Sequence, residues 1–384
     1  MSDGALTVKH QLGPNQLGQD RLGRDQLGGG KNSKTVSFFE FWPGFVFYLP
    51  VALFWIIQAI RHRSITLPSL ANPLIETGGL CGESKTDILD LAGPIARAWI
   101  APYAGMSTLG HQGAADLALA HAAMAAQGLS YPLVAKPDMS CNGVGVRVAR
   151  DDAGLADYLR AFPRACRLQL QKLVTDEGEA GIFYIRHPGE RQGRITSVTL
   201  KFPPVVVGDG RTSIRELIRA DARLEAVSNL LLPKLGAQAA RVPDEGERVQ
   251  LVFVGNHCRG STFKDGRMII TEALQARIDE IARDIPEFYF GRFDVRFSSL
   301  AALRQGEGFS IIELNGAGSE PTHIWDPDTD IREAYATQFF HYGEAFRIGA
   351  AIRARDGGQA YGAVKLWRLW QHQKNLMARY PAND

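Results

Sequence analysis

Cysteine is scarce in this chain. Cys81, Cys141, Cys166 and Cys258 are the only four in 384 residues. They are scattered, and no two form a CxxC pair. That spacing argues against a zinc site or a disulfide framework, and reduced thiols are the expectation. No charge dominates either. The formal net charge is +2, so nothing in the charge points to a nucleic-acid partner. Both standard phosphate fingerprints, GxxxxGK[ST] and GxGxxG, are missing. What is present suits a soluble enzyme with one attachment. The 45% hydrophobic content leaves enough for one large domain or two ordinary ones.

The N-terminal region reads in two parts. Residues 11–30 are four copies of a five-residue unit, QLGPN QLGQD RLGRD QLGGG. With one Leu per repeat they cannot bury enough apolar surface to offset chain entropy. Residues 1–37 are therefore expected to be a disordered, low-complexity terminus produced by tandem expansion. Phe38–Ile60, FFEFWPGFVFYLPVALFWIIQAI, carries Glu40 as its only formal charge. About 20 apolar residues cross a bilayer, and Trp42, Tyr48 and Trp55 are interface-type aromatics. Residues 38–63 are expected to form a membrane segment, with a buried core helix as the alternative. The run starts late and no small-residue cleavage site follows, so a cleaved signal peptide is not expected. Pro50 allows a kinked span or a re-entrant hairpin. Lys31 and Lys34 before the run and Arg61 and Arg63 after it leave its orientation open.

Residues 64–113 read as a connector or a reduced N-terminal domain, rich in Pro and Gly. Lys85 within GESK is expected to be solvated, as lysines usually are. Ala114–Gln127 has the composition of a helix ended by Gly128. The stretch YPLVAKPD is a short strand with Lys136 at its end. The following loop, to Val146, contains Asn142, Gly143 and Gly145. Such a loop can bring backbone N–H groups close to phosphate oxygens, with Lys136 adding a point charge. It can equally be a Gly-containing hairpin with an exposed Lys. LQLQKLV at 168–174 alternates as a strand does and runs into Asp176, Glu177 and Glu179. That arrangement suits an adenosine, with strand backbone on the base edge and a carboxylate on the ribose, or else a solvated hairpin.

The most informative stretch is Gly291–Asn315. GRFDVRF and FSIIELN both read as strands. Glu313 and Asn315 are two apart, so they share a face, as do Arg292 and Asp294. If the strands are neighbours, Asp294, Glu313 and Asn315 converge as hard oxygen ligands suited to Mg²⁺, which takes its remaining ligands from water and phosphates. Arg292 then sets a fixed positive charge beside the metal. The alternative is two ordinary strands with solvated acids.

In order and spacing these pieces resemble the ATP-grasp superfamily of carboxylate–amine ligases. The likeness spans roughly residues 131–328. GRFD at 291–294 and ELN at 313–315 resemble the D-alanine–D-alanine ligases. VVVGDGRTSIRELI at 205–218 and NHCRGSTFKD at 256–265 resemble the ATP-grasp part of cyanophycin and bifunctional glutathione synthetases. The resemblance implies an α+β fold in which two α+β subdomains, expected within residues 114–345, clasp ATP behind the N-terminal membrane segment. Residues 346–384 form a helical tail. It implies a ligase that joins a carboxylate to an amine through an acylphosphate, releasing ADP and phosphate. Alternatives are a regulatory, non-catalytic ATP-binding protein and a grasp kinase that transfers phosphate without ligation. By the match, Lys136 holds the α/β-phosphates under the 139–145 loop. Gln171, Lys172 and Val174 border the adenine, with Gln171 standing where many members carry Glu, and Glu179 or Glu177 binds the ribose. Asp294, Glu313 and Asn315 hold two Mg²⁺ ions, with Mn²⁺ an alternative, and Arg292 stabilises the acyl intermediate. Arg259 and Lys264 are further phosphate contacts. Lys85 is the best counterpart of the lysine that precedes the grasp in relatives. Ser319, Glu320 and His323 fall where the amine acceptor would bind, His323 as a contact or as a structural histidine. The implied partners are small-molecule or peptide carboxylate and amine substrates, and the membrane through 38–60. An ATP-using domain places the C-terminal side of that segment in the cytoplasm.

Overall fold

The computed structural model describes residues 36–110, 113–253 and 260–383. The QLG repeats, Asn256, Cys258 and Arg259 lie outside the described residues. The architecture is α+β, built on two larger antiparallel sheets and one small one.

The first sheet has the order β1 (Tyr103–Ser107), β4 (Arg167–Lys172), β2 (Leu133–Pro137), β3 (Arg147–Ala149). Strand alternation divides its faces. Leu133, Ala135, Leu168 and Leu170 point to a core made with the helices Gly113–Ala126 and Asp152–Ala161. Lys136, Gln169 and Gln171 therefore point the other way. The second sheet has the order β11 (Phe309–Asn315), β10 (Phe290–Phe297), β5 (Gly178–Ile185), β6 (Arg194–Phe202), β9 (Thr262–Asp265). One face buries Ile182, Val198, Phe293 and Ile311 against the Glu272–Arg283 helix. The other face is apolar at one end, where Phe183, Ile185 and Phe290 meet the Ile331–Asp356 helix. Its other end is densely charged.

The sheets are tied together by the backbone just before β1. Ile100 bridges to Ile311, and Ala101 N–H donates to the Ile311 carbonyl at 2.9 Å. The chain then turns into β1, so the expected connector 64–113 supplies the edge strand of the first sheet. The Ile331–Asp356 helix is continuous across position 346, where the sequence reading begins its tail. The small sheet, β7 (Val205–Val207) with β8 (Arg248–Gln250), carries a separate core with Ile214, Ile218, Leu224 and Leu231.

The apolar N-terminal run forms the Gly44–His62 helix, which is long and apolar enough to cross a membrane. It is not detached from the domain. Phe39 and Phe47 pack with Phe263, Ile324 and Trp325. Glu40 and Arg223 form a buried ion pair, 2.5 Å between Oε1 and Nη2.

Candidate active site

Two neighbouring strands build the floor of the site. The β10–β11 register sets Arg292 opposite Asn315 and Asp294 opposite Glu313. Residues paired across antiparallel strands, and residues two apart on one strand, share a face. All four side chains therefore stand on the charged end of the second sheet. Arg292 grips Asp294 with two parallel bonds, Nε to Oδ1 and Nη2 to Oδ2, both 2.9 Å. This is the planar fork geometry that only arginine offers. Its Nη1 donates to the Glu320 carbonyl at 3.0 Å, and Asn315 Nδ2 donates to Asp294 Oδ2 at 3.2 Å. Gly181 lies opposite Asp294 on β5. A Cβ there would stand 3.0 Å from Arg292 Cδ and 3.1 Å from Asp294 Oδ1, so a side chain at 181 would press on this pair.

The first sheet forms the roof. A β-bulge after Asp294 leaves Ile312 without a cross-strand partner on β10. The Ile312 carbonyl accepts from Lys136 Nζ at 3.0 Å, and Lys136 also donates to Gln171 Oε1 at 2.9 Å. Lys85, at the start of the Lys85–Asp90 helix, pairs with Glu313 at 2.9 Å and donates to the Ser140 carbonyl of the glycine loop at 2.5 Å. The expectation that Lys85 is solvated is thus corrected, since its side chain is 12% exposed. The Lys85 N–H bond to the Asp138 carbonyl, 3.0 Å, and the Thr86 N–H bond to Asp138 Oδ1, 2.8 Å, dock this helix just past the end of β2.

Lys201 completes the cluster. It bridges Asp294 at 3.0 Å and Glu179 at 3.3 Å, and Arg296 holds the other Glu179 oxygen at 3.2 Å. The sequence reading names no residue of β6. A signal is nevertheless present: Ser197, Thr199 and Lys201 recur at period two and mark a polar face. Gln169 was also missed. It is fully buried, opposite Lys136 in register, and among the described residues neither its amide nitrogen nor its amide oxygen has a partner.

Charges in this cleft reinforce one another. Burial works to raise the Asp294 carboxyl, but Arg292 and Lys201 outweigh it and hold it well below the usual carboxylate range. Burial likewise opposes ionisation of Glu313, and the charges of Lys85 and Lys136 override it and lower its pKa. Lys136 itself is pushed down to about 8 by burial, with only partial compensation from Glu313. Lys85, Lys136, Lys201, Arg292 and Arg296 thus meet Glu179, Asp294 and Glu313, with Glu83, Asp138 and Glu320 also near enough to act on Lys85, Lys136 and Arg292. Lysines and arginines gathered at one buried place suit phosphate oxygens.

The other expected residues are more dispersed. In the glycine loop Asn142, Gly143 and Gly145 all have positive φ, and Asn383 reaches them, accepting from the Gly145 N–H at 2.9 Å. Gln171 is buried, Lys172 is exposed at the end of β4 and Val174 is half-buried. Lys264, on β9 opposite Leu200, pairs instead with Asp326 and Asp328. Its register places it on the strand face away from Lys201. His323 is buried, with Nδ1 2.6 Å from Ser197 Oγ and no partner for Nε2 among the described residues. Glu320 accepts from Tyr48 and Trp325, both at 2.8 Å, and from Gln338.

The fit to ATP and Mg²⁺ can be judged on these residues. Among the described residues, no three His, Cys, Asp or Glu side chains form a metal cage. Mg²⁺ does not require one, because it binds through one or two carboxylates and completes its shell with phosphate and water. Asp294 and Glu313, both held ionised, would supply that donor set on release from the groups that engage them here, Arg292, Lys201 and the Asn315 amide for Asp294 and Lys85 for Glu313. The unpartnered amide of Gln169 beside Lys136 offers a buried polar position for a ligand.

The chain resembles ATP-grasp ligases. Solved structures similar to it include a bifunctional glutathione synthetase from Pasteurella multocida, with 17% identity, TM-score 0.35, and coverage of 66% of this chain and 35% of that one. Another is the VanG D-Ala:D-Ser ligase from Enterococcus faecalis, with 14% identity, TM-score 0.37, and coverage of 70% and 64%. A third is the D-alanine–D-alanine ligase from Coxiella burnetii, with 9% identity, TM-score 0.37, and coverage of 78% and 64%. The chain therefore spans about a third to two thirds of these structures. No protein-family model and no curated protein matches it. At such low similarity the likeness to these structures carries no inference about this chain's chemistry.

Proposed function

We propose that this protein is an ATP-dependent ligase that joins a carboxylate to an amine through an acylphosphate, releasing ADP and phosphate. One observation carries the reading: a buried cluster of lysines and arginines between two sheets, with Asp294, Glu313 and Asn315 at its floor and Arg292 fixed beside them. Phosphoryl transfer needs no nucleophilic side chain from the protein, because positioning and charge neutralisation supply its catalysis.

In this reading Lys136 and Lys85 bind the α/β-phosphates under the 139–145 loop, and Lys201 contacts the γ-phosphate. Gln171, Lys172 and Val174 border the adenine, and Glu179 serves the ribose side. Asp294, Glu313 and Asn315 would hold Mg²⁺, two ions by analogy, which when bound neutralises phosphate charge. A substrate carboxylate oxygen attacks the γ-phosphorus, and the bond to ADP breaks. The amine nitrogen then attacks the acyl carbon and loses a proton, and phosphate departs with the electrons of the C–O bond. The Arg292 guanidinium faces the charge that develops on the acylphosphate and on the tetrahedral intermediate. The domain is held at the cytoplasmic side of a membrane through 38–60.

A screen of carboxylate and amine pairs for ADP release, with mass analysis of products, tests this. An amide product supports the ligase. A phosphorylated acid or alcohol that persists would make the protein a kinase, and bound ATP without turnover would make it a regulator.

A further inference from the structure

The Gly44–His62 helix has two unlike faces. One runs alongside the Ile331–Asp356 helix for about four turns. Phe47 stacks on Tyr335, Phe54 on Phe339 with centroids 4.7 Å apart, and Trp55 meets Phe346 edge-on. At the far end Arg353 Nη2 donates to the His62 carbonyl at 3.0 Å. Contacts advance in the same order on both helices, so the two lie parallel over the whole apolar stretch.

A membrane span is incompatible with this packing. The partner helix is part of the catalytic domain. Its inner side, through Phe346, Ile348 and Ile352, closes the apolar end of the second sheet. Beside the apolar run it carries Glu344, Arg347 and Arg353. A Gly44–His62 helix threaded across the hydrocarbon would draw those charges in with it, at about 3 kcal/mol each at mid-bilayer for Arg or Asp. It would draw in an edge of the sheet as well.

The other face of the helix is bare. Phe45, Leu49, Leu53, Ile56, Ile57 and Ile60 form one stripe at helical spacing, and Phe45 and Ile60 are 79% and 73% exposed. No charged residue falls between Glu40 and Arg61. Exposed Phe38 and Phe41 flank the stripe at one end, and exposed Arg61 and Arg63 stand at the other. An uncharged apolar strip with aromatics at one end and arginines at the other is the pattern of a helix lying in a membrane surface. The arginines, with no acid on that face, complement anionic headgroups.

We propose that Gly44–His62 lies in the plane of an anionic membrane leaflet, its Phe45–Ile60 stripe among the headgroups and upper acyl chains, and crosses nothing. This rests on the membrane-attachment reading and is independent of the ligase chemistry. Both ends of the helix then lie on the cytoplasmic side. Tyr48 bonds Glu320, whose carbonyl holds Arg292, so the lipid-facing helix is joined to the site through one residue.

The test uses the full chain with vesicles of 70% phosphatidylcholine and 30% phosphatidylglycerol. Full-length protein should float with the vesicles and remain bound in 1 M NaCl. The exposed-face variant Leu49→Asp/Leu53→Asp/Ile57→Asp should stay in solution with an unchanged melting temperature. Arg61→Ala/Arg63→Ala should weaken binding by about fivefold per arginine on anionic vesicles and leave neutral ones unaffected. Topology is read separately, so a misfolded triple variant does not decide the matter. Single cysteines at Val36 and Ser64, with the four native cysteines replaced by serine, should both resist an impermeant maleimide in intact spheroplasts and react after lysis. Labelling of one end from outside would overturn the in-plane disposition while leaving attachment standing. Failure to float would overturn attachment itself. Self-association of the wild type without vesicle binding, abolished in the triple variant, would make the stripe a contact between two copies and also overturn the proposal.

Discussion

Lys136 offers a test in which two measurements should move in opposite directions. It is 7% exposed, and burial lowers its pKa from the ordinary 10.5 to about 8. Between those values the unfolded chain binds a proton that the folded protein has released. Raising the pH through this window therefore favours the folded state. One pH unit is worth about 1.4 kcal/mol, so across the window the gain approaches about 3 kcal/mol as an upper bound. ATP binding should do the reverse. If only the ammonium form engages phosphate, the apparent Kd rises about tenfold per pH unit above 8, until the pKa of the bound state is reached. Other lysines and tyrosines titrate in the same range, so each measurement is taken as a difference from a variant. Lys136→Met, which cannot titrate, isolates the stability term by urea unfolding between pH 7 and 10. Wild type should gain on it as the pH rises. Lys136→Arg, which stays charged, should flatten the calorimetric ATP-affinity profile. A wild-type affinity constant to pH 9.5, or a stability difference that does not change with pH, would refute both the buried lysine and its phosphate role.

Three further outcomes are expected. Asp294→Asn or Glu313→Gln should abolish ADP release with the best substrate pair while thermal unfolding stays cooperative; near-normal release by either would remove them from the metal site. Arg292→Lys keeps the charge but loses the fork to Asp294, so turnover should fall by about 10²-fold with ATP affinity little changed, and the converse pattern would make Arg292 a nucleotide contact. Glu40→Gln leaves Arg223 buried and unpaired in charge, which should cost about 3 kcal/mol in urea unfolding; loss under about 0.5 kcal/mol would mean that the 36–62 segment is not integral to the domain.

What the sequence determined by itself was local. Strand alternation alone puts Arg292 with Asp294, and Glu313 with Asn315, on common faces, because a two-residue period follows from backbone geometry whatever the strand pairs with. The apolar run Phe38–Ile60 is legible too, by its length and its lack of charge after Glu40, although Pro50 leaves a single helix and a hairpin both open. The tertiary structure decided what these faces meet. The β10–β11 register, with its bulge at Ile312, brings the four side chains together and turns a carbonyl toward Lys136. No spacing in the chain encodes that Lys85, more than 200 residues away, would pair with Glu313. Nor does it encode that Lys201, in an ordinary alternating strand, would bridge Asp294 and Glu179. Sequence pattern likewise reads 38–63 as a membrane segment, since hydrophobicity records that a residue avoids water but not what it packs against. Only the packing of Phe47, Phe54 and Trp55 along the Ile331–Asp356 helix divides that segment into a domain face and a bare face. Those contacts depend on long-range geometry, which the two-residue and 3.6-residue periods of the sequence do not carry.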